Sequence, residues 1–151
     1  MKSKIFLILF TICSTSTFSQ TPYFQALVVS NIDTATSWYS KVLKLKLRNR
    51  VDSEERGFKQ AILHNDKTMV ELVELKNMVS ENEALKSFPE RTRLIGFYKI
   101  GFIADDLDEC HNRLEKFNVK FYGKTVTDSV SGKRTFLVTD PDGNLVQFFE
   151  K

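Results

Sequence analysis

Cysteine is scarce in this chain: Cys13 and Cys110 are the two in 151 residues. Long apolar runs are scarcer still. The one that occurs, Ile5-Phe6-Leu7-Ile8-Leu9-Phe10, follows the basic start Met1-Lys2-Ser3-Lys4. It is too short to cross a bilayer as a helix, which takes roughly 20 apolar residues. A basic start, a short apolar core and small residues up to Thr17-Phe18-Ser19 read as a signal peptide over residues 1–19. The expected location is therefore outside the cytoplasm, periplasmic or secreted. A lipid anchor at Cys13 is the rival reading, but Phe10-Thr11-Ile12 lacks the small residues a lipobox needs. Cleavage leaves residues 20–151, or 132 residues (151 minus 19), enough for a single domain with its own core. Cys110 then stands alone, so no internal disulfide can form.

An excess of one charge is also missing. Without Lys2 and Lys4 the formal charge falls from +3 to +1, 20 basic residues against 19 acidic. The basic residues are scattered among acids, which excludes the concentrated footprint of a nucleic-acid surface. No further apolar run would hold the cleaved protein in a membrane. Histidine is limited to His64 and His111, one read in a turn and the other on a helix.

The remaining chain carries the same design twice. Tyr23–Val29 reads as an apolar strand, followed by a helix capped by Asn31, whose side chain can accept an early backbone N–H. Ile32, Ala35, Tyr39 and Val42 fall on one helical face. Strands follow at Leu45–Val51, Lys59–Leu63 and Thr68–Leu75, the last two joined by the turn His64-Asn65-Asp66-Lys67. The second half has a strand at Gly96–Ala104, a helix capped by Asp106, and a buried stripe of Leu107, Cys110, Leu114 and Phe117. On that stripe Cys110 is a buried thiol rather than a nucleophile. Strands at Val119–Tyr122, Thr135–Thr139 and Leu145–Glu150 complete it, with a tight turn at Asp140-Pro141-Asp142-Gly143-Asn144. Ile32 falls on Leu107 and Ala26 on Gly101 at an offset of 75, while Met69–Glu74 falls on Leu145–Glu150 at an offset of 76. Two colinear βαβββ modules, an α+β fold, are the expected architecture.

The opening pattern is Val28-Val29-Ser30-Asn31-Ile32-Asp33, then Trp38-Tyr39 and Val42-Leu43. The closing pattern is Phe136-Leu137-Val138-Thr139-Asp140-Pro141-Asp142-Gly143-Asn144-Leu145-Val146-Gln147. With these the chain resembles the glyoxalase / bleomycin-resistance / extradiol-dioxygenase superfamily, the vicinal oxygen chelate fold, from Thr21 to Lys151. That resemblance implies two half-barrel modules cupped around a cleft, and in many relatives a homodimer, some pairing modules across chains. By strand alternation Phe24, Ala26 and Val28, then Met69, Glu71 and Val73, face the cleft. So do Phe97, Lys99, Gly101 and Ile103, with Leu145, Gln147 and Phe149. Leu27, Val29, Val70, Leu72, Ile100, Phe102, Val146 and Phe148 face the helices.

Relatives that use a metal hold it at four positions, which carry over to Phe24, Glu71, Lys99 and Gln147. Phenylalanine has no lone pair to give and a lysine ammonium has none free. The glutamate and amide that remain are too few for a tight zinc, nickel or iron site, so no metal cofactor is expected. Lys99 brings a charge near Glu71 in place of the ion. Three readings stay open: a structural ion pair, a recognition pair for a polar or anionic ligand, or Glu71 as general base with Lys99 stabilising an enolate-like oxygen. The expected site is thus a pocket for a small organic molecule lined by Phe24, Met69, Glu71, Phe97, Lys99, Gln147 and Phe149. A lactoylglutathione-lyase-like isomerase, or an interaction domain whose cleft is collapsed on Phe24, Phe97 and Phe149, are the alternatives. Export weakens the first, because glutathione is mainly cytosolic. An eighteen-residue connector, Asn77–Leu94, joins the modules, with a short capped helix expected after Ser80 and Arg91 and Arg93 near its end.

Overall fold

The structure, a computed structural model, describes residues 22–90 and 92–151. The expected signal peptide, Cys13 and Arg91 lie outside the described residues.

Capping side chains start both long helices. Asn31, in an extended conformation, accepts the Thr34 N–H at 2.9 Å and opens α1 (Ile32–Val42) after β1 (Gln25–Val28). The meander β2 (Lys46–Ser53), β3 (Phe58–His64) and β4 (Met69–Leu75) follows. β4 returns beside β1 in parallel, giving a sheet ordered β1-β4-β3-β2. In the connector Ser80 caps the single turn α2 (Glu81–Ala84), as its sequence predicts.

The second module repeats the path. β5 (Lys99–Ala104) leads to α3 (Leu107–Lys116), opened by the Asp106 carboxylate on the Glu109 N–H at 2.8 Å. Acids in the first turn of α3 and Arg113 and Lys116 in its last suit the helix dipole. The short β6 (Lys120–Phe121) and β7 (Val126–Thr127) both pair β8 (Arg134–Thr139), which pairs β9 (Leu145–Glu150), and β9 lies parallel to β5. The expected pair of βαβββ modules is present, with β7 as an addition that two residues of sequence did not reveal.

One face of each sheet is buried under a helix. Val70, Leu72, Ala61 and Leu63 lie beneath α1, meeting Ile32, Ala35, Tyr39 and Val42; all are 1 % exposed or less. Phe136, Val138, Val146 and Phe148 do the same beneath α3 with Leu107, Cys110 and Leu114. These residues form one continuous core, each large side chain contributing about 1.5–3 kcal/mol by leaving water. Two expectations fail at element ends. Phe117 is not buried: α3 stops at Lys116, so Phe117 caps it, half exposed, with the Arg113 guanidinium 6.0 Å above its ring. The strand expected from Gly96 begins only at Lys99, because its partner β9 begins at Leu145, directly opposite Lys99.

Polar bonds tie the modules together. Tyr39 Oη donates to the buried Asp140 Oδ2 at 2.8 Å, Ser30 N to Asp142 Oδ2 at 3.0 Å, and Arg113 to the Lys41 and Val42 carbonyls at the end of α1. Burial and the Asp140 carboxylate push the Tyr39 hydroxyl above its ordinary pKa, so it remains a donor at all working pH. Within the first module Glu74 joins strand to helix, accepting the Ile32 N–H and Lys59 Nζ, each at 2.7 Å.

Two measurements test these bonds. Tyr39→Phe deletes one donor to a buried carboxylate, and the urea midpoint is expected to fall by the equivalent of about 2 kcal/mol with an unchanged slope. An unchanged midpoint would mean that Asp140 holds its place without the tyrosine. At Glu74 the Lys59 bond, then the Ile32 N–H, holds the carboxyl below the usual range. A depressed carboxylate stabilises the fold above its ordinary pKa, and that contribution fades as pH falls through the folded-state value. The melting-temperature gap between wild type and Glu74→Gln is therefore largest at neutral pH and closes on acidification. A gap that grows in acid would contradict this role.

Candidate functional site

The strand ladders decide which side chains share the uncovered inner faces. Glu71 on β4 lies between Ala26 of β1 and Ile62 of β3, and Gln147 on β9 between Gly101 of β5 and Leu137 of β8. Ala26 and Gly101, like Ile62 and Leu137, are 75 residues apart, whereas Glu71 and Gln147 are 76 apart. The extra residue lies in a turn: residues 65–68 connect β3 to β4, and residues 140–144 connect β8 to β9. Glu71 and Gln147 therefore occupy equivalent places in the two modules.

Each has a polar neighbour diagonally across the ladder. Gln60 donates its amide to Glu71 Oε1, and Gln147 donates Nε2 to Thr135 Oγ1 at 2.8 Å. Gln60 and Thr135 are themselves 75 residues apart, a signal that could have found both in the sequence. The two pairs differ in wetness. Gln60 and Glu71 are half-buried, while Thr135 and Gln147 are 2 % and 4 % exposed. Thr135 donates its own hydroxyl to the Phe148 carbonyl at 2.7 Å, and among the described residues Gln147 Oε1 is buried with no donor. The Phe149 ring lies over Gly101: a Cβ there would come 3.6 Å from Phe149 Cε2.

The other expected site residues spread more widely. Met69 lies beside Glu71 on the inner face, half-buried, and its direct partner across the ladder is His64. His64 thus belongs to β3 and shares that face; the turn begins one residue later, at Asn65, whose side chain accepts the Lys67 and Thr68 N–H groups. Phe24 precedes β1, 49 % exposed and edge-on to Tyr23. Lys99 opens β5, exposed, and among the described residues no ion pair joins it to Glu71. Its charge acts on Asp128, whose carboxyl is held below the usual range chiefly by bonds from Ser131. Phe97 stands outside β5, its side chain wholly in solvent.

Two grooves are lined by residues of both modules. The larger, about 760 Å³, is lined by Phe24, Val42, Phe102, Ile103, Cys110 and Phe148 among others. Burial pushes the Cys110 thiol above its ordinary pKa, which keeps it protonated and unreactive at neutral pH. The smaller, about 410 Å³, is lined by Val28, Val79, Arg93, Phe97, Tyr98 and Leu145 among others. The internal repeat relates them: Ile103–Asp105 and Asp66–Thr68 border one, Val28–Ser30 and Asp142–Asn144 the other. Phe24 and Phe97 thus fall in different grooves, and Glu71, Lys99 and Gln147 line neither.

The inner faces do not supply a metal donor set. Phe24 has no lone pair, Lys99 is an exposed lysine, and Gln147 offers a single neutral amide oxygen. His64 and Glu71 share a face, but among the described residues no three His, Cys, Asp or Glu side chains gather where they could hold an ion. Such a set does not fit a tightly held first-row metal, which takes three or four nitrogen, sulfur or oxygen ligands. Among the described residues no helix is long and apolar enough to cross a membrane.

Comparisons with known proteins agree with this architecture. A Bacillus subtilis (strain 168) protein, "Uncharacterized protein YwbC", is 25 % identical over 126 residues, spanning 83 % of this chain and 93 % of that one. The crystal structure of a glyoxalase family protein from Enterococcus faecalis superposes with a TM-score of 0.74 at 16 % identity, covering 87 % of this chain and 98 % of that one. The trypanothione-dependent glyoxalase I of Leishmania major superposes with a TM-score of 0.65 at 18 % identity, covering 87 % of each chain. At such identity the two structures show the fold alone. A family model matches residues 22–148, and the chain belongs to the Glyoxalase/Bleomycin resistance protein/Dioxygenase superfamily.

Proposed function

We propose that the protein is an exported, metal-independent member of this superfamily that binds a small organic molecule between its two modules. The observation that carries the reading is the buried Gln147 oxygen without a donor, on an inner face that a metal would otherwise have organised. An unpaired buried acceptor costs about 1–3 kcal/mol, which an O–H or N–H of a ligand would recover. Across the two modules the chain offers what small-molecule sites combine, apolar walls and a few polar groups. Phe149, Met69 and the half-exposed Phe24 supply apolar surface, Glu71 a carboxylate, and Lys99 and Phe97 sit at the start of the second module. The basic start and apolar core of residues 1–10 support export.

Metal analysis of protein purified without chelator, with a thermal-shift screen of small molecules bearing hydrogen-bond donors, tests the reading. Well under one equivalent of transition metal per chain is expected. Hits are expected too, since a ligand at 100 times its Kd adds about 2.7 kcal/mol to stability. One equivalent of bound metal, or hits that persist unchanged in Glu71→Ala, Lys99→Ala and Gln147→Leu, would overturn it. Gln147→Leu separates binding from folding. It removes the unpaired oxygen while Thr135 keeps its bond to Phe148, so stability is expected to hold or rise by about 1 kcal/mol as binding is lost. A loss of stability beyond that size would make the amide a structural group.

A further inference from the structure

The internal repeat sets the two grooves against each other residue by residue, and the polar ties beside the smaller one are changed at the larger. Beside the smaller groove Tyr39 Oη donates to the buried Asp140 Oδ2 at 2.8 Å, and Ser30 N to Asp142 Oδ2 at 3.0 Å. At an offset of 75, Leu114 stands for Tyr39, Asn65 for Asp140, Asp105 for Ser30 and Lys67 for Asp142. Leucine has no donor to give, and the Asn65 amide instead reaches the Leu43 carbonyl of its own module. The bond anchored on the Ser30 backbone becomes a contact between exposed side chains, Lys67 Nζ to Asp105 Oδ2 at 2.9 Å, with Lys151 Nζ on the other oxygen at 3.1 Å. Exposed pairs of this kind hold little. The groove beside them is the larger, about 760 Å³ against about 410 Å³. That volume lies within the roughly 300–1,000 Å³ of small-molecule sites.

We infer that the larger groove is a second binding site, for a small uncharged aromatic molecule carrying a hydroxyl or a primary amide. Four rings line it: Tyr23 and Phe24, edge-on to each other, from the first module, and Phe102 and Phe148 from the second. Such rings attract a further ring beyond simple burial. The charges along the wall cancel, four basic residues against four acidic. Lys67 and Lys151 share Asp105, and Lys44 lies 3.8 Å from Glu109. A ligand bringing its own charge would have to break one of these pairs or stay uncompensated, whereas a neutral one does neither. Two wall residues also keep a buried polar atom without a partner among the described residues, the Gln25 Oε1 acceptor and the Arg113 Nε donor. A hydroxyl or an amide brings both the donor and the acceptor that these lack. The site is separate from the one proposed on the inner faces, since Glu71, Lys99 and Gln147 do not line it.

Three probes of similar shape, 2-phenylethanol, phenylacetate and 2-phenylethylamine, differ chiefly in charge and test the site by equilibrium dialysis. The neutral alcohol is expected to bind at least about 10-fold more tightly than either charged probe. Cys110 lies in the wall and reports occupancy. Its alkylation by N-ethylmaleimide, read by mass spectrometry, is expected to slow about 10-fold with 2-phenylethanol at about ten times its Kd. Ile103 lines the groove at 57 % exposure, so a change there costs the fold little. Ile103→Trp fills the space and is expected to weaken binding at least about 10-fold, and Ile103→Ala, a milder change, to weaken it in the same direction. Circular dichroism and the melting temperature confirm that each variant is folded. No binding of 2-phenylethanol up to about 10 mM, or a charged probe bound as tightly, would overturn the assignment. Binding that survives both Ile103 variants but is lost in Gln147→Leu would do the same, since the alcohol would then sit on the inner face.

Discussion

A carboxylate taken out of water must be met by donors or it destabilises the fold that buries it. Asp140, 5 % exposed, is met by four. Its Oδ1 accepts the Asp142 and Asn144 N–H groups, and its Oδ2 accepts the Asn144 amide and the Tyr39 hydroxyl. Three of these donors belong to its own turn and shape it. The fourth comes from the other module, across 101 residues of sequence. Local turn chemistry is thereby coupled to the docking of two units that share only a modest set of polar bonds. Asp142 of the same turn accepts Ser30 N at the end of β1, so the turn also holds the strand that borders the seam. In the first module the corresponding turn is built on Asn65, whose amide reaches the Leu43 carbonyl of its own module. The four-residue turn also reaches the other module, through Lys67 Nζ to Asp105 Oδ2 at 2.9 Å, but between exposed side chains, whereas the five-residue turn does so through a buried carboxylate.

Duplication explains why the inner faces are organised alike and why they differ. A residue paired with its neighbour on one ladder recurs 75 or 76 positions later, so Gln60–Glu71 and Thr135–Gln147 are one interaction built twice. In the second copy the partner is a short hydroxyl already engaged with a backbone carbonyl, and the glutamine oxygen loses access to water. Gly101 stands where the first module has Ala26, and Phe149, whose ring lies at ordinary contact distance above it, stands where the first module has Val73.

Much of this was legible in the residues because two signals coincided. The 3.6-residue spacing of Ile32, Ala35, Tyr39 and Val42, with Asn31 ahead of it, predicts both the helix and its buried face. Leu145–Glu150 was bounded correctly because a proline–glycine turn precedes it. Errors came where a pattern ran on without a partner. Phe97 continues the apolar run into β5, yet no strand lies opposite, so side-chain pattern overstated backbone pairing. Phe117 continues the stripe of α3 by spacing, but the helix has already ended. The Asn-Asp pair after His64 suggests that it belongs to a turn, whereas ladder pairing with Met69 keeps it in β3. Equivalence of position likewise does not supply distance: the resemblance implies a shared site for Glu71 and Lys99, but their side chains find Gln60 and the neighbourhood of Asp128 instead.

The consequence for chemistry lies in what remains available on each inner face. Where an ion organises a site, its charge satisfies several donors at once and fixes their directions. Among the described residues the side chains of each inner face find partners on their own sheet, and the two modules do so unequally. Glu71 keeps a second carboxylate oxygen beyond the one taken by Gln60, on a half-buried face that also presents His64 and Met69. Gln147 keeps a buried acceptor that no donor among the described residues meets. A molecule reaching both would place a polar or cationic end against the first module and a donor beside an aromatic ring in the second. Selectivity in such a site comes from unpaired buried groups more than from apolar fit, because a ligand lacking the matching donor leaves the desolvation cost standing.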